Sequence, residues 1–463
     1  MMTDVNIVIS EWSYLAAAVL FVLGLRSLSS PATARRGMFL AEIGMALAVV
    51  GTLLYTQILT WTYILVGAGV GSAIGALMAI FMPMTAMPQR IALSHSFGAQ
   101  AAVLVGCFKY IEYGGEGLGR LRMAALGFEV LFGAVTVTGS LMAFGKLQEL
   151  IRGAPITYRG QNIFNLALFS ATIVLFLYLL HAPDTTWAFY TMLGLGLVVG
   201  VLIVMPIGGA DMPVVISLLN SYAGLAAAAT GIAIDNKVLI IAGSLDGTSG
   251  FFLSVLMSRA MNRSFANVLF GAVGSAPPAG AAEKTETRTV IRYTPEDAKL
   301  MLENAGSVIV IPGYGMAVAQ AQHIVHEMAE LLIERGATVR YAIHPVAGRM
   351  PGHMNVLLAE ASVPYELLFE MDHINDDFQN TDVVVVVGAN DVTNPAARHK
   401  KSSPLYGMPI LNADQARHII VLKRSMGAGF AGEDNDLFYN PKTMMVLGDA
   451  KQTLTHIVQH LKK

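Results

Sequence analysis

The sequence is short of charged residues and of cysteine. Only 13% of its 463 residues are Asp, Glu, Lys or Arg, against 54% that are hydrophobic, whereas a soluble domain carries about 25% charged residues. This shortage excludes a protein that is soluble along its whole length. The single cysteine, Cys107, excludes an intrachain disulfide and a cysteine-ligated metal cluster, and we expect no metal site. The net charge of −2 indicates no basic surface for nucleic acid.

The charged residues are unevenly distributed along the chain. Residues 1–263 carry 24 of them and residues 264–463 carry 38. This contrast indicates a membrane domain followed by a globular domain. No Lys or Arg precedes Arg26, so the basic lead of a signal peptide is missing, and we expect the first apolar run to be retained as a helix.

Nine apolar stretches in residues 1–263 are each long enough to span a bilayer, which takes about 20 residues. They are Val5–Leu25, Met38–Gln57, Trp61–Met82, Ile91–Ile111, Ala124–Gly145, Ile163–His181, Ala188–Pro206, Pro213–Ile234 and Val238–Met257. We therefore predict a polytopic all-α membrane domain with the chain ends on opposite sides. Nine Lys and Arg residues fall in the loops of one side and four in those of the other, which predicts a cytoplasmic C-terminal half. In the third stretch, Gly67, Gly69, Gly71 and Gly75 predict close packing against another helix.

After the last span, the composition of residues 264–289 is typical of a linker. From residue 290 onward, short β-branched runs alternate with helical patterns. The predicted strands are Ser307–Pro312, Thr338–His344, Pro364–Glu370, Asp382–Val387, His418–Lys423 and Met444–Leu447, and the predicted helices are Gly315–Arg335, His353–Ala361 and a last one from Ala450. This alternation predicts an α/β, Rossmann-like, doubly wound parallel sheet over 290–463. Such a sheet binds ligands at the carboxyl ends of its strands.

A glycine motif follows the first predicted strand. Gly313, Tyr314, Gly315 and Val318 give the pattern G-x-G-x-x-V between a strand and a helix. This pattern is typical of a turn where the pyrophosphate of a dinucleotide approaches the start of a helix. Val318 departs from the usual third Gly or Ala, and a plain strand-to-helix turn is the alternative.

The sequence favours NADP over NAD at this site. An NAD site of the common type has an acidic residue at the end of the second strand, where this chain has His344. A later strand ends in Lys423, Arg424 and Ser425 and leads to Gly427. Two cations and a hydroxyl at the carboxyl end of a strand suit a 2′-phosphate. A solvated Lys-Arg pair is the alternative.

Several polar residues lie in or beside the apolar stretches, where they are costly and often functional. His95 lies in the fourth stretch, Asp211 precedes the eighth and Asn220 lies within it. Histidine exchanges protons near neutral pH, which suggests a proton site. A neutral His95 hydrogen-bonded to a neighbouring helix is the alternative. Glu129 and Glu42 are further candidates that the sequence does not place.

Five segments together resemble a known family. They are GGADMPVVISLLNSYAG at 208–224, PGYGMAVAQAQ at 312–322, HPVAGRMPGHMNVLLAEA at 344–361, GANDVTNPAA at 388–397 and KRSMGAGFAG at 423–432. On these segments the chain resembles the β subunits of proton-translocating NAD(P) transhydrogenases over essentially its whole length.

For the globular domain, the resemblance implies that this chain binds NADP(H) in an orientation reversed from the usual Rossmann arrangement. Lys423, Arg424 and Ser425 would hold the 2′-phosphate. The cofactor-binding residues are then Gly313, Tyr314, Gly315, Val318, Val346, Ala347, Gly348, Arg349, Met350, Gly388, Ala389, Asn390, Asp391, Lys423, Arg424, Ser425, Gly427, Phe430, Gly448, Asp449 and Ala450. Phe430 stands where the family often has Tyr in the loop over the nucleotide.

For the membrane domain, the resemblance implies a proton pathway. Its expected residues are His95, Ser140 and Asn220 at polar positions, Asp211 at the start of a helix, and Gly250 at a contact between helices. Asp391 in the globular domain falls where the family has an acid linked to coupling. These residues are therefore the expected pathway and coupling residues.

The resemblance also implies a partner. The residues indicate one dinucleotide site in this chain, yet hydride transfer needs a donor and an acceptor. The family supplies an α subunit, of one or two chains, that binds NAD(H), and a dimer of αβ units is expected. The implied activity is hydride transfer from NADH to NADP⁺ coupled to inward proton movement, by a Re/Si-specific transhydrogenase of the bacterial inner membrane. An NADP-sensing transporter without hydride transfer and a membrane-anchored NADPH reductase are the alternatives.

Overall fold

The computed structural model describes residues 4–55, 61–113, 119–152, 155–208, 211–261, 265, 290–350, 352–401, 403, 405–429 and 431–462. The predicted linker over 264–289 lies outside the described residues apart from Phe265, and so does the predicted cofactor contact Phe430. The statements below concern the described residues.

The first part of the described chain contains nine long apolar helices. They are α1 (Asp4–Ser27), α2 (Pro31–Tyr55), α3 (Trp61–Phe81), α4 (Met87–Tyr113), α5 (Arg120–Leu147), α6 (Gln161–Leu179), α7 (Thr186–Val204), α8 (Met212–Ala233) and α9 (Lys237–Ala260). Each is long and apolar enough to cross a membrane. Each coincides with one predicted span, so the prediction of a multi-pass membrane protein is confirmed.

Helix α5 is surrounded by other membrane helices. It packs against α4, α6 and α7, and 67% of its membrane window is buried. At one end of this group, the ring of Tyr110 on α4 stacks on Phe189 of α7 with ring centroids 3.9 Å apart. Polar side chains on α5 therefore face protein rather than lipid.

Helices α8 and α9 approach each other through glycines. A Cβ added at Gly224 would lie 2.3 Å from the backbone nitrogen of Gly247, and one at Gly243 would lie 2.5 Å from that of Ala228. No other residue permits so close an approach of two helix backbones. Further along, a Cβ at Gly250 would lie 2.9 Å from the Nδ2 atom of Asn220. The two helices are therefore held in one register by their glycines.

The glycines of α3 do not pack as the sequence predicted. A Cβ added at Gly67, Gly69, Gly71 or Gly75 would meet no described atom within 4 Å, and α3 has no buried residue. Helix packing by small residues needs a second helix beside them, and none of the described helices is there. The prediction was wrong for contacts within the described chain.

The second part of the described chain is built on a six-stranded parallel sheet. Its strands are β1 (Ser307–Pro312), β2 (Thr338–Ile343), β3 (Leu368–Glu370), β4 (Val383–Val387), β5 (His418–Lys423) and β6 (Thr443–Leu447). Their order is β3-β2-β1-β4-β5-β6. The helices are α10 (Pro295–Glu303), α11 (Tyr314–Val318), α12 (Gln322–Glu334), α13 (His353–Glu360), α14 (Met371–Ile374), α15 (Ala396–His399) and α16 (Ala450–Leu461). The Rossmann-like fold is confirmed, and its strand order reverses between β1 and β4.

The helix predicted over Gly315–Arg335 is two helices, α11 and α12. Gln320 ends the first with a φ of 49°. The N–H of Gln320 donates to the carbonyl of Ala317 (3.0 Å), and that of Ala321 donates to the carbonyl of Met316 (3.0 Å). This bond pair is a Schellman motif, which usually has Gly at the left-handed position. The sequence pattern missed the break because Gln is a good helix former.

Candidate functional site

The candidate nucleotide site lies at the carboxyl edge of the sheet, where the loops after β1 and β4 interlock. A Cβ added at Gly313 would lie 2.4 Å from the Cα of Ala389. One added at Gly388, whose φ is 63°, would lie 2.4 Å from the Cα of Gly315. Glycine is therefore required on both loops at the point where the strand order reverses, which is where open α/β sheets bind their ligands.

The backbone of the glycine motif is mostly committed to the protein. The N–H of Gly313 donates to the carbonyl of Val387 (2.9 Å) and that of Gly315 to the carbonyl of Gly388 (2.9 Å). The two glycines therefore tie the β1 loop to the β4 loop rather than presenting free N–H groups. Val318 is 56% exposed at the last residue of α11, so the third motif position is not packed between helix and strand.

The residue at the end of β2 is a buried structural histidine. His344 Nδ1 accepts the N–H of Val346 (3.2 Å), so its Nε2 carries the proton and donates to the carbonyl of Pro409 (2.8 Å). Burial lowers the pKa of His344 to about 4. This side chain is neutral, faces the protein and offers no carboxylate for a ribose 2′-hydroxyl, as the sequence predicted.

The loop from Val346 to Met350 contacts the loop after β1. The guanidinium of Arg349 lies 4.2 Å from the centre of the Tyr314 ring, and the Arg349 N–H donates to Nδ1 of His353 (3.0 Å). Gly348 has a φ of 106°, and a Cβ there would lie 2.6 Å from that of His353. Burial and the charge of Arg349 lower the pKa of His353 to about 4.

Lys423, which ends β5, and the next two residues, Arg424 and Ser425, differ in burial. Lys423 is half-buried, and its ammonium donates to the carbonyl of Gly427 and lies 4.8 Å from the centre of the Phe438 ring. Burial lowers the pKa of Lys423 although Asp391 and Asp434 lie near it. Arg424 and Ser425 are exposed. They are the groups of this trio that can reach a ligand without giving up a bond within the loop.

Asp391 fastens the segment after β5 to the loop after β4. Its Oδ2 accepts the N–H of Ala431 (3.0 Å). A Cβ added at Gly429 would lie 2.2 Å from the Oδ1 of Asp391, so the carboxylate lies directly against that glycine. With its amide oriented to satisfy both ends, Asn390 accepts from the N–H of Gly429 (2.7 Å) and from Lys423 Nζ (3.1 Å). These contacts fix the position of the segment.

Two buried asparagines that the sequence did not single out support these loops. Asn394 Nδ2 donates to the carbonyl of Asp434 (2.9 Å), and Asn435 Nδ2 donates to the carbonyl of Asn390 (3.0 Å). Both side chains are fully buried. Asn394 lies in the motif at 388–397, which is the one signal that could have indicated it.

The predicted contacts after β6 lie at the same edge of the sheet. The N–H of Gly448 donates to the carbonyl of Lys423 (3.0 Å). Asp449 caps α16 by accepting the N–H of Gln452 (3.0 Å), and Ala450 is buried. The carboxylate of Asp449 therefore has a helix-capping role.

Among the membrane helices, three of the predicted pathway residues lie beside contacts that connect α4, α5, α8 and α9. Ser96, next to His95, donates to the carbonyl of Val137 on α5 (3.1 Å). Gly139, next to Ser140, packs against Leu219 of α8. Buried in α5, Ser140 Oγ makes no hydrogen bond to a described residue, and neither does the buried Nδ1 of His95. We use the name polar layer for the set of three predicted pathway residues His95, Ser140 and Asn220.

Further carboxylic acids lie in or beside the membrane helices. Asp246 on α9 accepts a hydrogen bond from Asn220 Nδ2 (3.0 Å), and it was not among the residues predicted from the sequence. Glu129 is fully buried in α5 between Gly106 of α4 and Thr230 of α8. Glu42 is exposed on α2. Asp211 immediately precedes α8, and its N–H donates to the carbonyl of Gly208 (3.1 Å).

The residues at the carboxyl edge suit NADP(H). The Nε2 atom of His353 is buried and has no hydrogen-bond partner among the described residues, beside the predicted contacts Tyr314 and Arg349. Arg424 and Ser425 offer a cation and a hydroxyl at the mouth of the same edge. A donor without a partner and an exposed cation are what an anionic ligand would satisfy.

The architecture defines a class: a multi-pass membrane protein with a C-terminal Rossmann-like domain. A family model described as the NAD(P) transhydrogenase beta subunit matches residues 10–460. A curated protein from Rhodospirillum rubrum named NAD(P) transhydrogenase subunit beta is 47% identical over 454 residues, covering 96% of this chain and 98% of its own length. The same figures hold for the protein of that name from strain ATCC 11170 of the species. The chain belongs to the family of NAD(P) transhydrogenase β subunits.

This family membership confirms the resemblance, and a β subunit implies an α-subunit partner. The family also implies binding of NADP(H) and NAD(H) and an oxidoreductase complex in a membrane. The individual site residues stay predictions.

The first prediction concerns the interlocked loops. We expect Gly388→Ala to destabilise the Rossmann-like domain by about 1–3 kcal/mol more than Gly352→Ala. Both glycines have a φ near 65°, but a Cβ at Gly352 would meet nothing within 4 Å, so the matched variant isolates the contact with Gly315. Pulse proteolysis in urea measures both. Equal losses would contradict the assigned contact.

The second prediction concerns the buried histidines. Because the folded-state pKa values of His344 and His353 are lowered to about 4, their contribution to stability is present above about pH 6.5 and is lost as pH falls towards 4. The free energy of unfolding should fall by up to about 1.4 kcal/mol per pH unit for each histidine. Hydrogen exchange of the sheet amides, corrected for intrinsic rates, measures it.

The variant that tests this assignment is His344→Asn, whose Oδ1 can still accept the Val346 N–H but cannot titrate. We expect it to lower stability at pH 7 and to flatten the dependence on pH. His418 is exposed at the start of β5, so His418→Asn is the control. It should keep the wild-type dependence of the free energy of unfolding on pH. A His344→Asn slope equal to the wild-type slope would disprove the role of His344.

Proposed function

We propose that this chain is the NADP(H)-binding, proton-conducting subunit of a transhydrogenase that couples hydride transfer from NADH to NADP⁺ to inward proton movement. The observation that carries the proposal is the exposed pair of Arg424 and Ser425 at the carboxyl edge of the sheet, in a chain that belongs to this family. We place the membrane domain at 1–263, the linker at 264–289 and the NADP(H)-binding domain at 290–463.

The division of the cofactors supports a complex of two kinds of subunit. The described residues offer one candidate dinucleotide site, so we propose that NAD(H) is bound by the α subunit, made of one or two chains, in a dimer of αβ units. The loop charges favour a cytoplasmic C-terminal domain at the bacterial inner membrane. The complex would then be a proton-translocating, Re/Si-specific transhydrogenase.

The chemistry requires little of the protein's own functional groups. Nicotinamide cofactors, when bound, supply direct hydride transfer between their rings. The chain would bind the 2′-phosphate through Arg424 and Ser425, with Lys423 neutralising charge nearby. Arg349 would orient the nucleotide from the loop after β2, with its backbone N–H held by Nδ1 of the buried His353. The interlocked glycines would keep the floor of the site rigid, so that position and exclusion of water are the protein's contribution.

A proton gradient can supply the energy that the reaction needs. NADH and NADPH differ in a remote phosphate, so hydride transfer between their nicotinamides is close to neutral in free energy. One proton crossing about 200 mV releases about 4.6 kcal/mol. At 1.4 kcal/mol per factor of ten, this displaces the equilibrium more than about a thousandfold.

We propose that proton binding in the polar layer changes how firmly the Rossmann-like domain holds NADP(H). Asp391 supports a role in this change, because its carboxylate connects the β4 loop to Gly429 and Ala431. Movement of that one side chain would release both loops. His95, Ser140 and Asn220 would carry the proton, with Asp211 at the start of α8.

The experiment that tests the function uses the chain and its α subunit reconstituted together in vesicles. Reduction of NADP⁺ by NADH is followed by absorbance while a pH-sensitive dye reports proton movement. We expect both, with protons moving toward the side of the nucleotide domain. Hydride transfer without proton movement would contradict coupling. NADP(H) binding and proton movement without hydride transfer would favour the sensing transporter instead.

The third prediction concerns nucleotide selectivity. We expect Arg424→Ala to weaken NADP⁺ binding about 10-fold to 100-fold, the loss of a hydrogen bond to a charged group. Binding of the same dinucleotide without its 2′-phosphate should not change. Arg417→Ala, at the other end of β5, is the control and should bind NADP⁺ normally. Calorimetric titration of the purified chain measures these affinities, and equal losses for both nucleotides would refute the 2′-phosphate contact.

A further inference from the structure

Asp246 is a carboxylic acid in the middle of a membrane helix. It is the tenth of the 24 residues of α9, about 14 Å from the start at 1.5 Å per residue, and α9 is apolar enough to span the membrane. An ionisable group at this depth is costly, and such groups mark ion and proton pathways. The predicted pathway residues do not include it.

Asp246 is hydrogen-bonded to Asn220, a member of the polar layer. Asn220 Nδ2 donates to its Oδ1 at 3.0 Å. An amide suits a carboxyl group in both protonation states, because its NH₂ donates to a carboxylate and its oxygen accepts from a carboxylic acid. A cationic partner would stabilise only the ionised state. The neutral partner therefore lets Asp246 gain and lose a proton while keeping its contact.

The glycines of α8 and α9 set this contact. The side chain of Asn220 lies over Gly250, where a Cβ would be 2.9 Å from Nδ2. On either side, Ser217 Oγ donates to the carbonyl of Gly250 (2.9 Å) and Ser221 Oγ donates to that of Gly247 (2.7 Å). These bonds fix the register of α8 against α9. Asn220 and Asp246 face each other because of this register.

The groups around Asp246 are mostly neutral. Helix α8 presents Ser217, Asn220 and Ser221 to α9 at this level. The titratable side chain of α8 is Tyr222, which lies against Phe132 of α5. At the start of α9, Lys237 pairs with Glu11 of α1 (2.6 Å). One turn further along α1, Tyr14 donates a hydrogen bond to Thr52 of α2 (3.1 Å). Lys237 is nine residues from Asp246 and is already paired with Glu11.

We propose that Asp246 is a proton-binding residue of the membrane domain, acting with Asn220 as one site between α8 and α9. The proposal rests on the proposed coupling of hydride transfer to proton movement. Proton gain at the Asp246 carboxyl breaks no other bond: the carboxylate takes up one proton and later releases it.

The test uses the full chain with its α subunit in vesicles and the variants Asp246→Asn, Asp246→Glu and Asp235→Asn. Asp246→Asn keeps the size of the side chain and removes its titration. We expect it to slow proton-coupled hydride transfer about 100-fold, the usual contribution of a positioned proton-transfer group. Asp246→Glu should restore most of the rate with a displaced pH profile. Asp235→Asn removes a carboxylate from the turn between the same two helices and should behave as wild type.

Infrared difference spectroscopy of the same samples provides a readout that does not depend on turnover. Wild type should show a carboxylic-acid band that grows as pH falls and is lost as pH rises, and Asp246→Asn should lack it. NADP(H) binding by each variant checks that the chain is folded. Absence of an Asp246 band, or wild-type proton movement with an unchanged pH profile in Asp246→Asn, would overturn the proposal. A wild-type complex that shows the band but moves no protons would instead overturn the proposed function.

Discussion

Close backbone contact through glycine is the constraint on which both parts of the molecule depend. In the membrane helices, Gly243 and Gly250 let α8 and α9 approach until the side chain of Asn220 lies over a backbone. In the Rossmann-like domain, Gly313 and Gly388 let two loops interlock where the strand order reverses. Side chains elsewhere can adjust by rotation, but a backbone contact of this kind has one geometry. Functional groups beside such contacts are therefore held in fixed positions.

These fixed contacts help to assign roles to the polar residues. In an apolar helix, a serine or asparagine is ambiguous because it can serve packing alone. Asn220 is less ambiguous, since its amide is directed at Asp246 by a glycine-tight helix pair. Asp391 is fixed in the same way against Gly429. A change of charge on Asp391 would alter a contact between two loops, which is the kind of two-state element that coupling requires, whereas the amide of Asn220 keeps its contact with Asp246 in both protonation states.

The sequence predicted the elements better than the contacts. Nine spans followed from hydrophobic length, and the parallel sheet followed from the alternation of strands and helices. The sequence did not indicate Asp246 because its partner, Asn220, is 26 residues away in the chain. Only the register of α8 against α9 brings the two side chains together. The break at Gln320 within the helix predicted over Gly315–Arg335 was missed. The left-handed φ of Gln320 is set by the tertiary fold and not by helix propensity. Lys423 and Arg424 were found as a pair, but the sequence did not indicate that the first faces inward.

We propose that proton binding among the membrane helices changes how firmly the Rossmann-like domain holds NADP(H). The rate of NADP(H) release from the intact complex, measured as a function of pH, tests this coupling without requiring turnover. We expect the release rate to vary with pH in the wild type and to become flat in His95→Ala, which disables the polar layer. A wild-type release rate that is independent of pH would rule out this coupling.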